Sequence, residues 1–181
     1  MNLKKALLLG FAAMTASATC VGCRTAAADN PSKNDAIYAG LPFAMERVAL
    51  PVIPAREVSV ADFGGSGDGI TLNTEAFAKA IAHLSERGGG RVSVPRGVWY
   101  TGPIELLDNI ELHLEDNAII LFSDNKDDYP VREITFEGLN TWRCQSPISA
   151  MHVKNVAITG NGIIDGNGDA WRAVKRGKLA P

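Results

Sequence analysis

The spacing of apolar side chains changes period once along this chain, near Gly88-Gly89-Gly90, and that change predicts the architecture. Before it, Phe77, Ala80, Ile81 and Leu84 fall at i, i+3, i+4 and i+7, one apolar face of a helix over 73–87. Asn73 or Thr71 can cap its start, Glu75 puts a negative charge in the first turn, and the three glycines end it. His83 lies beside the apolar face and reads as a surface residue rather than a ligand. Ahead of the helix, Val58-Ser59-Val60 reads as a short strand and Gly64 to Gly69 as a loop. Those glycines do not form a phosphate cradle, because Ile70-Thr71-Leu72 intervenes before the helix and no P-loop lysine follows.

After the glycines the period is two and stays so. Arg91 to Pro95 and Val98 to Thr101 read as strands around an Arg96-Gly97 turn. Ile110, Leu112 and Leu114 alternate with Glu111, His113 and Glu115, predicting a half-buried strand with its polar face outward. Asp116-Asn117 turns the chain into the apolar run Ala118 to Phe122. The same unit recurs at Asn155-Val156-Ala157-Ile158, with Gly160-Asn161-Gly162 turning into Ile163-Ile164 and Asp165-Gly166-Asn167-Gly168 turning again. The two units start 46 positions apart, at Asn109 and Asn155, which fits two coils of roughly 20–25 residues each. Residues 123–151, with Asp124, Asp127, Asp128, Tyr129, Pro130 and Trp142, form a polar excursion that reads as a loop projecting from a coil. This pattern predicts an all-β parallel solenoid, in which each coil stacks its aliphatics on the next. The open first end would expose unpaired strand edges, and the helix is placed in sequence to cap it.

Composition narrows the partners. Lys and Arg total 18 against 20 Asp and Glu, so nothing basic marks a nucleic-acid footprint. Residues 1–28 read as a signal peptide: Lys4 and Lys5 form a positive region before the apolar run Ala6 to Met14, which is too short to span a membrane. Ala16-Ser17-Ala18 and Ala26-Ala27-Ala28 both offer cleavage sites. Val21-Gly22-Cys23 instead resembles a lipobox, in which Cys23 would carry the lipid, although Cys20 stands where that motif wants an aliphatic residue. Export is therefore expected, to the periplasm, an outer-membrane anchor or the medium, with membrane attachment only through such a lipid. Residues 29–56 read as a linker and 57–181 as the solenoid domain. Cys144 is the one cysteine well inside that domain and reads as a buried small apolar residue, which leaves no disulfide scaffold.

Three segments together resemble the glycoside hydrolase family 28 polygalacturonases, pectin-degrading right-handed parallel β-helix enzymes. The first is Val60-Ala61-Asp62-Phe63-Gly64 with Gly67-Asp68-Gly69 and the helix start Asn73-Thr74-Glu75-Ala76-Phe77. The second runs from Gly89 through Val94-Pro95-Arg96-Gly97-Val98-Trp99 to Ile104. The third and most selective is Ile158-Thr159-Gly160-Asn161-Gly162-Ile163-Ile164-Asp165-Gly166-Asn167-Gly168, followed by Trp171. The resemblance covers residue 57 to the end, an N-terminal part only. It implies a pectic polysaccharide as partner, no cofactor, and inverting hydrolysis of α-1,4-galacturonosyl links. Inversion needs two carboxyl groups roughly 6.5–9.5 Å apart, one to protonate the leaving oxygen and one to activate water.

The resemblance also implies where those groups lie, in Asn-Thr-Asp and Asp-Asp motifs supported by Gly-His-Gly and Arg-x-Lys. None stands here in a fitting place. Asn73-Thr74-Glu75 opens a helix, Asp127-Asp128 precedes Tyr129-Pro130 in a loop, and Arg176-Gly177-Lys178 lies in a polar tail. His113 and His152 fall in strand-like segments with no partner carboxylate at a useful spacing. No catalytic residue is assigned, and the chain is expected to stop where the active half begins. Asp165 and Trp171 are the candidate substrate-binding residues: Asp165 as a sugar contact or a turn residue bonding its own backbone, Trp171 as a stacking platform or a ring packed on the solenoid wall. Asp165, Asn167 and Asp169 have the spacing of calcium-loop ligands. Ala170 stands where glycine is needed and the distal glutamate is missing, so no metal is expected. A calcium-using polysaccharide lyase of similar fold and a non-catalytic sugar-binding solenoid remain the alternatives.

Overall fold

The computed structural model describes residues 38–175. The predicted signal peptide, Cys20, the lipidation candidate Cys23 and the Arg176-Gly177-Lys178 decoy lie outside them. The chain divides into two units at Arg47 and Val48. In the first, the Arg47 guanidinium lies 5.3 Å from the centre of the Tyr38 ring. Everything below concerns the second.

It consists mostly of short strands in parallel sheets. Strand β1 (Glu57–Ser59) is followed by a 3-10 turn over Val60–Phe63 and by helix α1 (Thr74–Ser85). Strands β2 (Gly90–Val94), β3 (Gly97–Thr101), β4 (Ile104–Glu105), β5 (Ile110–Leu114) and β6 (Ala118–Phe122) come next. A hairpin of β7 (Val131–Phe136) and β8 (Leu139–Cys144) precedes β9 (Ile148–Ser149), β10 (Ala157–Gly160) and β11 (Ile163–Asp165), and α2 (Gly168–Lys175) closes the described chain. One sheet runs β1-β2-β5-β10, a second β11-β6-β3, and a third pairs β4 with β9. All these pairings are parallel, and from β2 to β6 and again from β9 to β11 successive strands enter different sheets.

The register explains the core. Val92 pairs with Leu112 and Leu112 with Ile158, while Val94 pairs with Leu114. Side chains of one parity therefore stack in rows, and Val92, Val94, Ile110, Leu112, Leu114, Ile120 and Phe122 are buried. The apolar face of α1 is the predicted one: Phe77, Ala80, Ile81 and Leu84 are buried, with Phe77 edge-on to Trp99. The helix packs on β1, β2, β4 and β5.

Several expectations need correction. Val60 belongs to the 3-10 turn, where the Ser59 hydroxyl accepts from the Ala61 N–H and the Asp62 carboxylate from the Ser59 N–H. Asn73 occupies the N-cap of α1 but makes no side-chain cap bond. Its buried amide accepts from the Ser66 N–H at 2.7 Å and donates toward the carbonyls of Ser66, Thr71 and Tyr100, binding the glycine loop to β3. The cap is forgone because the whole amide, oxygen and nitrogen, is taken up by the loop and β3. The helix ends at Ser85, two residues early, where the Gly89 N–H returns to the Leu84 carbonyl.

The largest correction concerns the repeat. Asn109 and Asn155 mark one step of the stack, not two, since β5 and β10 are direct neighbours in register. The extra length is the excursion, and its centre is no loop. Glu137 and Gly138 both have positive φ, 52° and 82°, the backbone of a tight two-residue hairpin turn. Between the stacked asparagines the Asn155 Nδ2 donates to the Asn109 Oδ1 at 2.9 Å, and both residues have left-handed backbone. At Gly160 a side chain is impossible as built: φ is 96° and an added Cβ would lie 1.8 Å from the Leu114 carbonyl oxygen.

Candidate functional site

A cleft of about 520 Å³ lies between the hairpin and the segment after β11. One wall comes from the turn after β6. There the Asn125 side chain accepts from the Asp127 N–H and starts a short 3-10 turn, which swings Tyr129 inward. Its hydroxyl donates to the Ser123 carbonyl at 2.9 Å, and its ring is almost fully buried. That burial, with the charges of Asp128, Tyr100 and Asp124 adding to it, pushes the phenol up to about 12, so Tyr129 stays neutral. Trp171 of α2 meets it edge-on at 4.9 Å. The hairpin supplies the opposite wall: Phe136 carries the Arg143 guanidinium over its ring, 3.9 Å from the centroid. Arg143 is the charged group among the lining residues, and Gly166 and Gly168 leave backbone exposed beside it.

A second polar constellation lies on the outward face of the β1-β2-β5-β10 sheet. Glu111 is buried to 8% exposure, and its carboxylate accepts from Arg91 Nε at 3.1 Å and from the Thr159 hydroxyl at 2.5 Å. Burial raises the pKa of Glu111, but the Thr159 and Arg91 hydrogen bonds and the Arg91 and His113 charges outweigh it, so the group sits below the ordinary range. His113 Nδ1 lies 2.7 Å from the Thr159 oxygen and 3.9 Å from Glu111. Because Thr159 gives its single proton to the carboxylate, Nδ1 is the donor to Thr159. His113 thus has a partner carboxylate after all, two residues earlier on its own strand, because i and i+2 share a face. His152 is in no strand; it has left-handed backbone at φ 56° beyond β9.

The two predicted site residues are not brought together in the cleft. Trp171 lines it, whereas Asp165 is exposed at the end of β11 and accepts the Asn167 N–H at 2.9 Å in a local turn. Asp169 pairs with Arg172 at 2.8 Å and the Asn167 amide reaches the Phe122 carbonyl, so the three calcium-spaced residues are engaged separately. Among the described residues no three His, Cys, Asp or Glu side chains are grouped as metal ligands. Glu75 of the first decoy pairs with Lys79 on the surface of α1, and Asp128 of the second accepts from the Ser123 hydroxyl at 2.5 Å. Cys144 is exposed rather than buried, because it ends a hairpin strand that has no core beneath it. Arg143 and Phe136 escaped sequence reasoning with the hairpin. The available signal was Glu137-Gly138 between two runs rich in β-branched and aromatic residues.

Stacked parallel strands with an aromatic cleft define a β-rich scaffold, and the comparisons with known proteins say what it resembles. No family model matches the sequence. The chain is 39% identical over 126 residues to a probable polygalacturonase of Vitis vinifera, covering 65% of this chain and 26% of that protein. It is 35% identical over 157 residues to the exo-poly-alpha-D-galacturonosidase of Dickeya chrysanthemi, covering 82% and 24%. Among solved structures, the hyperthermoactive exopolygalacturonase of Thermotoga maritima is 47% identical with a TM-score of 0.62, over 66% of this chain and 27% of that one. The chain spans about a quarter of the length of the curated relatives it matches. Over the matched residues this is a polygalacturonase-like sequence of the glycoside hydrolase family 28 kind.

Proposed function

We propose that these residues form the first passes of a right-handed parallel β-helix, with α1 covering its end, in an exported polygalacturonase-like hydrolase. The whole protein would cleave α-1,4-galacturonosyl links of pectic polysaccharide with inversion. The observation that carries the reading is the similarity to polygalacturonases over two thirds or more of a chain whose strands stack in parallel register. The acid and base of the reaction are assigned to residues beyond those described. In support, three of the carboxylates described here are held in structural bonds: Asp68 by Thr71 and Ile70, Glu111 by Arg91 and Thr159, Asp128 by Ser123. Among the described residues no helix is long and apolar enough to cross a membrane. Attachment through a lipid on Cys23 and a sugar contact by Asp165 belong to the same proposal, as readings of the sequence alone.

The test is turnover of polygalacturonate by this chain and by the longest product of its gene, read as new reducing ends. The longer product is expected to hydrolyse the polymer, and this chain alone to leave it intact. An unsaturated, ultraviolet-absorbing product would identify a lyase instead, and saccharide binding without turnover by the longer product would identify a binding solenoid.

A further inference from the structure

We propose that the cleft between the hairpin and α2 is a binding site for a single uronate unit of an acidic saccharide, with Arg143 as its carboxylate receptor. This inference rests on the polygalacturonase-like reading for its choice of sugar, but its physical basis is independent. The cleft volume of about 520 Å³ lies within the usual range of small-molecule sites, roughly 300–1,000 Å³. Its lining contains one cation and no carboxylate. Three arginines of the same unit are matched by acids, Arg91 by Glu111, Arg132 by Glu105 and Arg172 by Asp169, while Arg56 donates to the Gly89 carbonyl. Arg143 has an aromatic ring instead. Stacking on Phe136 engages the face of the guanidinium and leaves its in-plane N–H fork free for a carboxylate.

The remaining walls fit a sugar ring. Trp171 presents aromatic surface for the apolar C–H face of a pyranose, and the buried Tyr129 ring, fixed by its bond to Ser123, backs it edge-on. The exposed backbone at Gly166 and Gly168 can exchange hydrogen bonds with ring hydroxyls, since no side chain screens it. Asp165 does not line the cleft, and its carboxylate accepts the Asn167 N–H.

The experiment is calorimetric titration of the full chain with trigalacturonate and, separately, with the neutral α-1,4-linked trisaccharide of galactose. Trigalacturonate is expected to bind at least about ten-fold more tightly. Arg143→Ala is expected to remove that difference and Trp171→Ala to weaken both ligands. Trp142→Ala, 69% exposed on the other face of the hairpin, is expected to change neither. Melting curves check that each variant folds, and Arg143→Gln replaces Arg143→Ala should the latter fail. Equal affinity for the charged and neutral sugars, or unchanged uronate binding after loss of Arg143, overturns the assignment. Failure of the hydrolase reading is separable: a longer gene product inactive on polygalacturonate, with Arg143-dependent uronate binding intact, removes the reaction and keeps the site.

Discussion

Strands β5 and β10 carry the same sequence unit, a left-handed asparagine followed by alternating aliphatics, yet they live in different environments. In β5 the inward residues Ile110, Leu112 and Leu114 are exposed by no more than 2%. In β10 Ile158, the register partner of Leu112, is 47% exposed, and in β11 Ile163 and Ile164 are 58% and 41% exposed. The difference is in the neighbours. β5 lies between β2 and β10, whereas β10 has a described partner only at β5. Alternation specifies the strand and its two faces, but the stack decides how much apolar surface each strand removes from water. The same unit is therefore core in one place and surface in the other.

The sharpest way to break this comparison is to truncate matched residues. Leu112→Ala should cost about 2–5 kcal/mol, because it removes a fully buried side chain from a row closed on both sides. Ile158→Ala, one strand further along the same row, should cost about 1 kcal/mol or less. Urea unfolding of both variants measures the ratio. Equal costs would show that β10 is as enclosed as β5 and that its exposure is not what sets its energetics.

A smaller effect tests the ladder that joins the two regions. Asn155→Ala loses the hydrogen bond to Asn109 and puts a non-glycine Cβ in left-handed backbone without a compensating amide, for a cost of about 1–2 kcal/mol. Asn155→Gly keeps the backbone and loses only the bond, so it should recover part of that cost. If alanine and glycine destabilise equally, the left-handed conformation at 155 contributes nothing, and the side-chain bond alone joins the two strands.

What could be read in advance follows the same division. Strands buried on their inner face had to carry an apolar pattern, and β2, β3, β5 and β6 stand where that pattern and the turn residues place them. The face of α1 was legible for the same reason. The hairpin was not, because β7 and β8 pack on no core and expose Val131, Leu139 and Trp142. With no buried face there is no selection for alternation, and only the Glu137-Gly138 turn marks it. The step of the stack was misjudged in consequence, since the inserted hairpin makes one pass look as long as two. Asn73 misled in another way: its position suits a cap, and only the fold reveals the loop and strand groups that take up its amide. The candidate cleft shares the blind spot of the hairpin that builds half of it, so Trp171 was singled out while Arg143 was passed over.

The outward ladder gives the subtlest probe, because Glu111 is bonded to both an inner and an outer neighbour of β5. Arg91 approaches it from β2, Thr159 from β10 and His113 from its own strand, with Glu57 of β1 beyond Arg91. Burial raises its pKa, the hydrogen bonds and neighbouring positive charges lower it further, and the net folded value lies below the ordinary 4.5. The unfolded chain then takes up this proton first as pH falls, so the stabilisation is present above the ordinary carboxylate value and lost as pH drops through the folded one. Glu111→Gln should flatten the loss of stability with falling pH below about pH 5, relative to the wild type. Thr159→Val should do so partially, because it removes the outer bond and leaves Arg91 in place. Urea midpoints of the three proteins between about pH 7 and pH 3 decide the matter. If Thr159→Val leaves the wild-type profile untouched, the carboxylate is held by the inner strand alone, and β10 is joined to β5 by its backbone and asparagines without help from charge.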